Sequence, residues 1–142
     1  MFLISNNERE VLMNDKKIVA IIGCGRIAVQ SHFPALSAME NVHIKYACDL
    51  IPEKAQKMKD TYPDIAHVIT DYHIALEDPE VDAVYVLTPN YAHYTVTMDA
   101  LRAGKHVFCE KPITINYALS AEMAESAASF ASLSFLRLTL TR

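Results

Sequence analysis

A glycine-rich turn is the first group of residues whose types and spacing suit chemistry. Residues 23–28 have the sequence Gly-Cys-Gly-Arg-Ile-Ala and follow the apolar, β-branched run of residues 17–22. In such a pattern the first glycine permits a tight turn, the second lets a phosphate approach the backbone, and the small last residue lets the following helix pack closely. The positive end of that helix would hold a diphosphate. The turn predicts a dinucleotide site; the alternative is a turn that only requires glycine.

An acidic residue follows the second apolar run. Asp49 lies about 20 residues beyond Ala28, the separation at which dinucleotide-binding motifs place a carboxylate that accepts hydrogen bonds from the adenosine ribose. This carboxylate would repel a 2′-phosphate, and neither Arg nor Lys stands among the next three residues. NAD is therefore favoured over NADP. The alternative is that Asp49 caps the following helix, and both roles can coexist.

Two further polar clusters follow later apolar runs. Residues 88–90 are Thr-Pro-Asn, with His93 one turn further, and residues 110–112 are Glu-Lys-Pro. Both clusters stand at the carboxyl ends of predicted strands, where open α/β sheets bind ligands. Lys111 is a candidate for hydrogen bonding to a substrate hydroxyl or for proton transfer, with a solvated surface charge as the alternative. For His93 the alternative is a helix-surface or capping histidine.

The elements that must position these residues alternate along the chain. Short apolar runs separated by amphipathic stretches predict β-α-β units and a parallel sheet. Strands are expected over residues 17–22, 42–49, 67–70, 82–87 and 106–109, and helices over residues 26–39, 52–62, 71–78, 91–103 and 118–129. We predict a doubly wound α/β fold with strand order 3-2-1-4-5 and a possible sixth strand over residues 136–141. Pro34 should interrupt the first helix, Asn90 should cap the fourth, and Gly104 should close it.

Composition limits the functions open to the chain. Its 142 residues carry a net charge of −4 with no basic run, which argues against a nucleic-acid or anionic-membrane surface. No apolar stretch approaches the roughly 20 residues of a membrane span. Residues 1–13 are expected to be a flexible extension and residues 14–142 a single domain. The three cysteines, Cys24, Cys48 and Cys109, fit packing roles in a reducing cytoplasm, and no metal-ligand spacing appears.

Taken together, four motifs resemble the N-terminal domain of the glucose–fructose oxidoreductase / inositol dehydrogenase (Gfo/Idh/MocA) family. The motifs are residues 23–28, 46–49, 88–93 and 103–112, and the resemblance covers about residues 14–128. The last two are the most telling because ordinary Rossmann domains lack them. The resemblance implies an oxidoreductase that moves a hydride between NAD, or less favourably NADP, and a carbon of a sugar, inositol or related polyol.

The resemblance also assigns residues to the site. Lys111 is implied to reach the reacting hydroxyl beside the nicotinamide ribose, and His93 to lie on the substrate side, as the two candidate catalytic residues. The residues implied to contact the cofactor are Gly23, Gly25, Arg26, Ile27, Asp49, Thr88, Pro89, Asn90, Glu110 and Lys111.

Family members continue into a second α/β domain that closes the substrate pocket and usually forms the oligomer interface. That domain is expected to be absent here, because the Ser-, Leu- and Phe-containing tail from Ser129 does not resemble it. We therefore expect this chain to bind its cofactor weakly and to show little activity unless a second domain is supplied. Oligomers are possible. The alternatives are a non-enzymatic dinucleotide-binding module and a truncated or degenerate gene product.

Overall fold

Five parallel strands form the centre of the molecule. The computed structural model describes residues 16–129, and its strands are β1 (Lys17–Ile22), β2 (Val42–Cys48), β3 (His67–Ile69), β4 (Ala83–Val86) and β5 (His106–Cys109). They are ordered β3-β2-β1-β4-β5, which confirms the predicted order. The predicted sixth strand (residues 136–141) and the expected flexible extension (residues 1–13) lie outside the described residues.

Helices follow every strand. They are a π-helical turn (Ala28–His32), α1 (Phe33–Ser37), α2 (Pro52–Thr61), α3 (His73–Glu77), α4 (Asn90–Arg102) and α5 (Tyr117–Ser129). Each predicted helix is thus present, with shorter bounds in several cases. Within residues 16–129, no helix is both long and apolar enough to cross a membrane.

The first helix is interrupted as Pro34 predicts. The N–H of Phe33 donates to the carbonyl of Ala28, five residues back, so the turn before α1 is wider than an α-helix. Proline has no N–H to continue an α-helical ladder, and α1 begins with Pro34 in its first turn. The result is a π-helical turn that joins the glycine turn to α1.

Helix α4 begins differently from the prediction. The expected cap by Asn90 is wrong, because Asn90 is the first helical residue and no side-chain cap is made. The capping position needs non-helical backbone angles, and Pro89, with φ −58° and ψ 150°, occupies it. At the other end Gly104 adopts φ +73° just beyond the helix, which confirms its predicted role.

The sheet separates two apolar cores. Alternate residues of a strand point to opposite faces, so Ala20 and Ile22 pack in one core with residues of α4 and α5. Val19 and Ile21 pack in the other core with the π-helical turn, α1 and α2. Because both faces of the sheet are covered, the open ends of its strands are the part of the sheet available to a ligand.

Candidate functional site

A cavity of about 550 Å³ opens at the carboxyl ends of β1, β2 and β4. Strand β1 pairs with β2 on one side and β4 on the other, so the cavity lies where the strand order reverses. This is the position at which doubly wound sheets bind their ligands. Seven of the residues predicted to contact a cofactor line it: Gly23, Gly25, Arg26, Ile27, Asp49, Thr88 and Pro89.

The two glycines of the turn have separate physical roles. Gly23 has φ +103°, and a Cβ added there would lie 2.6 Å from the carbonyl oxygen of Leu87. Its lack of a side chain is therefore required by the fold itself. A Cβ added at Gly25 would meet no atom of the described structure within 4 Å, and Gly25 lines the cavity. Gly25 leaves open the space through which a diphosphate would approach the backbone.

Asp49 is hydrogen bonded to backbone on both of its oxygens. Oδ2 accepts from the N–H of Cys24 at 2.9 Å, and Oδ1 accepts from the N–H of Ile51 at 2.9 Å. The second contact is a turn that precedes α2, so the expected cap of this helix by Asp49 is wrong: the capping position is held by Ile51, and no side-chain cap is made. The first was not foreseen: the carboxylate supports the glycine turn directly. Each carboxylate oxygen has a further lone pair, so both contacts are compatible with a ribose hydroxyl donor.

Thr88 brings an unpaired polar atom to the cavity. Its Oγ1 is buried and has no hydrogen-bond partner among the described residues, although Thr88 lines the cavity. Buried hydroxyls in proteins are nearly always partnered. An unpartnered hydroxyl beside the cavity, together with the open space at Gly25 and the carboxylate of Asp49, fits a dinucleotide.

The cysteines near the turn are buried and unreactive. Burial, and then the charge of Asp49, raises the pKa of both Cys24 and Cys48 to about 12. Burial likewise raises the pKa of Cys109 to about 11. These thiols stay protonated at neutral pH, and thiolate is the nucleophilic form. They act as small packing residues, as predicted.

Glu110 and Lys111 lie at the end of β5, outside the cavity walls. The N–H of Glu110 donates to the carbonyl of Val86, which holds the segment beside β4. Its Oε1 lies 2.9 Å from Nε2 of His32, and its Oε2 accepts from the N–H of Lys111 at 3.0 Å. Burial alone would raise the pKa of Glu110, but these two hydrogen bonds outweigh it and lower the pKa. The Glu110 carboxylate therefore organises this segment, and the Lys111 side chain is left exposed.

His93 has a different environment from the one expected. The residue is 1% exposed, with Nδ1 2.8 Å from the carbonyl oxygen of Pro112 and Nε2 2.7 Å from that of Thr88. Carbonyl oxygens only accept, so the ring donates to one of them through the nitrogen that carries its proton and lies in close contact with the other. His93 thus joins the segment after β4 to the segment after β5. This geometry leaves neither ring nitrogen open to a substrate.

Lys54 was missed by reasoning from the sequence. It is the third residue of α2 and lines the same cavity as Asp49. Only the three residues after Asp49 were considered for a 2′-phosphate partner, whereas Lys54 is the fifth residue after Asp49. Exposed apolar side chains also border the cavity: Leu50 is 84% exposed and Tyr91 80% exposed.

Two other features of the described residues bear on the choice of site. A second cavity, of about 560 Å³, lies by the amino end of β2 and is lined by residues such as Met39 and Tyr62. It contains none of the predicted site residues. Residues 16–129 also contain no cluster of three or more His, Cys, Asp or Glu side chains that could hold a metal ion.

The strand order, the glycine turn and the carboxylate at the end of β2 define an NAD(P)-binding Rossmann domain. A family profile described as "Oxidoreductase family, NAD-binding Rossmann fold" (Gfo/Idh/MocA) matches residues 17–133. The chain belongs to this family, whose members are oxidoreductases.

Named relatives include sugar and inositol enzymes. Over 98 residues the chain is 39% identical to the inositol 2-dehydrogenase/D-chiro-inositol 3-dehydrogenase of Lactiplantibacillus plantarum, which covers 69% of this chain and 28% of that protein. Over 109 residues it is 35% identical to the dTDP-3,4-didehydro-2,6-dideoxy-alpha-D-glucose 3-reductase of Streptomyces violaceoruber, which covers 77% of this chain and 31% of that protein. The chain spans less than a third of the length of these curated relatives.

A solved oxidoreductase structure is also similar to this chain. A 3-ketoreductase from Actinomadura kijaniata, solved in complex with NADP and TDP-benzene, superposes with a TM-score of 0.77 and 30% identity. The match covers 86% of this chain and 37% of that one. The described residues therefore correspond to one part of a larger enzyme in that neighbour.

Proposed function

We propose that this chain provides the cofactor-binding part of an NAD-dependent oxidoreductase that acts on a hydroxyl or keto carbon of a sugar, inositol or related polyol. The observation that carries the proposal is the cavity at the reversal of strand order. There Gly25 leaves room for a diphosphate, Asp49 offers a carboxylate, and the hydroxyl of Thr88 lacks a partner among the described residues.

Different residues around the cavity are proposed to bind different parts of the cofactor. The N–H groups that follow Gly25, together with the exposed Arg26 and Ile27, would hold the diphosphate. Asp49 would accept from the adenosine ribose, and the apolar rim formed by Leu50 would cover the adenine. Thr88 and Pro89, with the exposed Asn90, would follow the cofactor toward its nicotinamide end.

NAD is proposed as the preferred cofactor because the carboxylate of Asp49 would repel a 2′-phosphate. Two observations favour NADP instead: Lys54 offers a positive charge at the same cavity, and the Actinomadura kijaniata 3-ketoreductase was solved with NADP. The preference is assigned to Asp49 because its position is held by two backbone hydrogen bonds. Lys54 is an exposed side chain with many rotamers to lose on binding.

Lys111 is the proposed catalytic residue. When bound, the nicotinamide ring supplies the redox chemistry by exchanging a hydride with the substrate carbon. The role of this chain would be to hold the ammonium group of Lys111 at the reacting oxygen of the substrate. There the ammonium group would stabilise the negative charge that develops on the oxygen and would exchange a proton with that oxygen. The N–H of Lys111 is fixed by Glu110, and the carbonyl of Pro112 by His93, so the lysine begins from a set backbone position.

Calorimetric titration of the purified chain with NAD and with NADP tests the cofactor assignment. We expect saturable binding that is tighter for NAD, and an Asp49→Ala variant that loses this preference. Tighter binding of NADP to the unaltered chain would mean that Lys54, and not Asp49, determines the cofactor preference. Failure of a cooperatively folded chain to bind either nucleotide would refute the proposed function.

A steady-state assay over a panel of polyols, with NAD, tests whether this chain is active without a further domain. The described residues supply one side of a substrate site, and a site that neither encloses its substrate nor excludes water loses most of its rate advantage. We expect turnover by this chain far below about 1 per second, a modest enzyme rate. Turnover near that rate would show that no further domain is needed.

A further inference from the structure

One side chain joins the helix that follows the glycine turn to the segment that carries Lys111. His32 is the last residue of the π-helical turn, and its Nε2 lies 2.9 Å from Oε1 of Glu110. A carboxylate only accepts, so the Nε2–H of His32 is the donor. The other oxygen of Glu110 accepts from the N–H of Lys111. A single carboxylate therefore holds both the His32 ring and the Lys111 backbone.

The ring of His32 is fixed by its neighbours in the sheet. It stands edge-on to Tyr85, with ring centroids 5.9 Å apart, and lies 5.2 Å from Phe108. Those two rings stack on each other at 5.1 Å. The side chain of His32 is 14% exposed and that of Glu110 21% exposed, and a partly buried hydrogen bond to a charged group is worth more than a solvated one.

The other end of the connection is the glycine turn itself. The N–H of Val29 donates to the carbonyl of Gly25 at 3.0 Å, and Ala28 is fully buried where the π-helical turn begins. His32 is one turn further along the same segment. A displacement of the glycine turn would therefore move His32, and through it the carboxylate of Glu110.

We propose that His32 is a positioning residue: through Glu110 it sets the backbone of Lys111 relative to the glycine turn. This inference rests on the proposed function, in which the glycine turn holds the diphosphate and Lys111 serves the nicotinamide end. Without the His32 bond, Glu110 keeps its contact with Lys111 but loses its link to the helix after the turn.

Two substitutions separate the hydrogen bond from the packing of the ring. His32→Phe keeps an aromatic ring against Tyr85 and Phe108 but removes the donor to Glu110. His32→Gln keeps a donor and gives up the ring. His67→Phe is the matched control, because His67 is an exposed residue of β3 that packs on Tyr46 and has no contact with Glu110.

Binding of NAD and of ADP provides the first test, since ADP contains the diphosphate and the adenosine ribose but no nicotinamide end. We expect His32→Phe to weaken NAD binding about tenfold, because the His32–Glu110 bond can contribute to the nicotinamide end no more than about its own free energy, and to leave ADP binding within about twofold of the unaltered chain. His32→Gln and His67→Phe should bind both nucleotides normally. Equal losses for NAD and ADP in His32→Phe would overturn the proposal, because they would indicate damage to the turn.

A nucleotide-free measurement provides the second test. The backbone N–H resonance of Lys111 in a two-dimensional NMR spectrum reports the titration of Glu110, whose titratable neighbours are His32 and Lys111. Because the His32 bond lowers the pKa of Glu110, His32→Phe should raise the midpoint of this titration, and His32→Gln should restore it. An unchanged midpoint in His32→Phe would overturn the proposal even if no nucleotide binds. Failure of the unaltered chain to bind NAD, with the midpoint shift present, would refute the proposed function alone.

Discussion

The carboxylate of Asp49 accepts a hydrogen bond from the N–H of Cys24, 2.9 Å away in the middle of the glycine turn. The residue expected to bind a ribose is thus also a support for the turn that would hold the diphosphate. Its other oxygen accepts from Ile51 at the entrance to α2. Asp49 therefore links the ends of β1 and β2, and any variant at this position tests two roles at once.

Replacing Asp49 should reduce stability even without nucleotide. Asp49→Ala removes both acceptors and leaves the N–H groups of Cys24 and Ile51 without them, so we expect the free energy of unfolding to fall by about 1–3 kcal/mol. Urea denaturation followed by circular dichroism measures this. The control is Glu53→Ala, which changes an exposed acidic residue in the first turn of α2. Equal stability of the two variants would mean that the Asp49 contacts contribute nothing to folding.

The two glycines of the turn should respond differently to the same substitution. Gly23→Ala places a methyl group 2.6 Å from the carbonyl of Leu87 at φ +103°, so we expect a loss of at least about 2 kcal/mol of stability. Gly25→Ala meets no atom of the described structure within 4 Å, so stability should change by less than about 0.5 kcal/mol. The Gly25 methyl would instead occupy the approach to the backbone, and NAD binding should weaken about tenfold or more.

Thermal unfolding and NAD titration of both variants make this comparison. Normal NAD binding by a folded Gly25→Ala protein would contradict the placement of the diphosphate at Gly25. A stable Gly23→Ala protein would contradict the close approach of the turn to Leu87.

Local pattern was enough to predict the sheet and the turn. The alternation of apolar runs and amphipathic stretches determines a parallel sheet, and the handedness of its crossovers leaves few possible strand orders. The interruption at Pro34 and the closure at Gly104 follow from backbone chemistry within a few residues. Seven predicted cofactor residues line one cavity because the carboxyl ends of parallel strands share an edge.

Contacts between distant segments were not predictable in this way. The hydrogen bonds that Asp49 accepts from Cys24 and Glu110 accepts from His32 join residues 25 and 78 positions apart, and no spacing in the sequence indicates them. The burial of His93 depends on the carbonyl of Pro112, which only the packing of two loops brings near. Lys54 was missed because only the three residues after Asp49, which end at the first residue of α2, were considered.

Acid should destabilise the protein in part through Asp78. Burial opposes ionisation of this carboxyl, but hydrogen bonds from Lys45, the N–H of Glu80 and the hydroxyl of Tyr46 lower its pKa from 3.8 to about 2. A carboxylate with a lowered folded-state pKa contributes stability that is fully present above its unfolded pKa and is lost as pH falls through the folded one. We therefore expect stability to decline between about pH 4 and pH 2.

Urea midpoints measured from pH 6 to pH 2 test this, with Asp78→Asn compared against Asp64→Asn, which changes an exposed aspartate. Asp78→Asn should be less stable at pH 6 and should flatten the decline below pH 4. Parallel pH profiles for Asp78→Asn and the unaltered chain would place the acid sensitivity at other carboxylates.

Replacing His93 distinguishes a structural role of this histidine from a catalytic one. Its buried ring contacts the carbonyls of Thr88 and Pro112, so His93→Ala removes both contacts and leaves a cavity beside α4. We expect the free energy of unfolding to fall by about 2–4 kcal/mol, as measured by urea denaturation. Thr95→Ala, on the exposed side of the same helix, should change it by less than about 0.5 kcal/mol.

A second measurement concerns the backbone around Lys111, because His93→Ala also removes the contact with the carbonyl of Pro112, the next residue. The Lys111 and Ile113 backbone resonances should shift and broaden in His93→Ala, because the carbonyl of Pro112 loses its contact with the ring, and should not change in Thr95→Ala. If His93 contacted substrate directly instead, its replacement would leave stability and these resonances nearly unchanged. In a chain supplied with its second domain, that replacement would then lower only turnover. Loss of stability together with movement of the Lys111 segment would establish His93 as the residue that holds the two loops together.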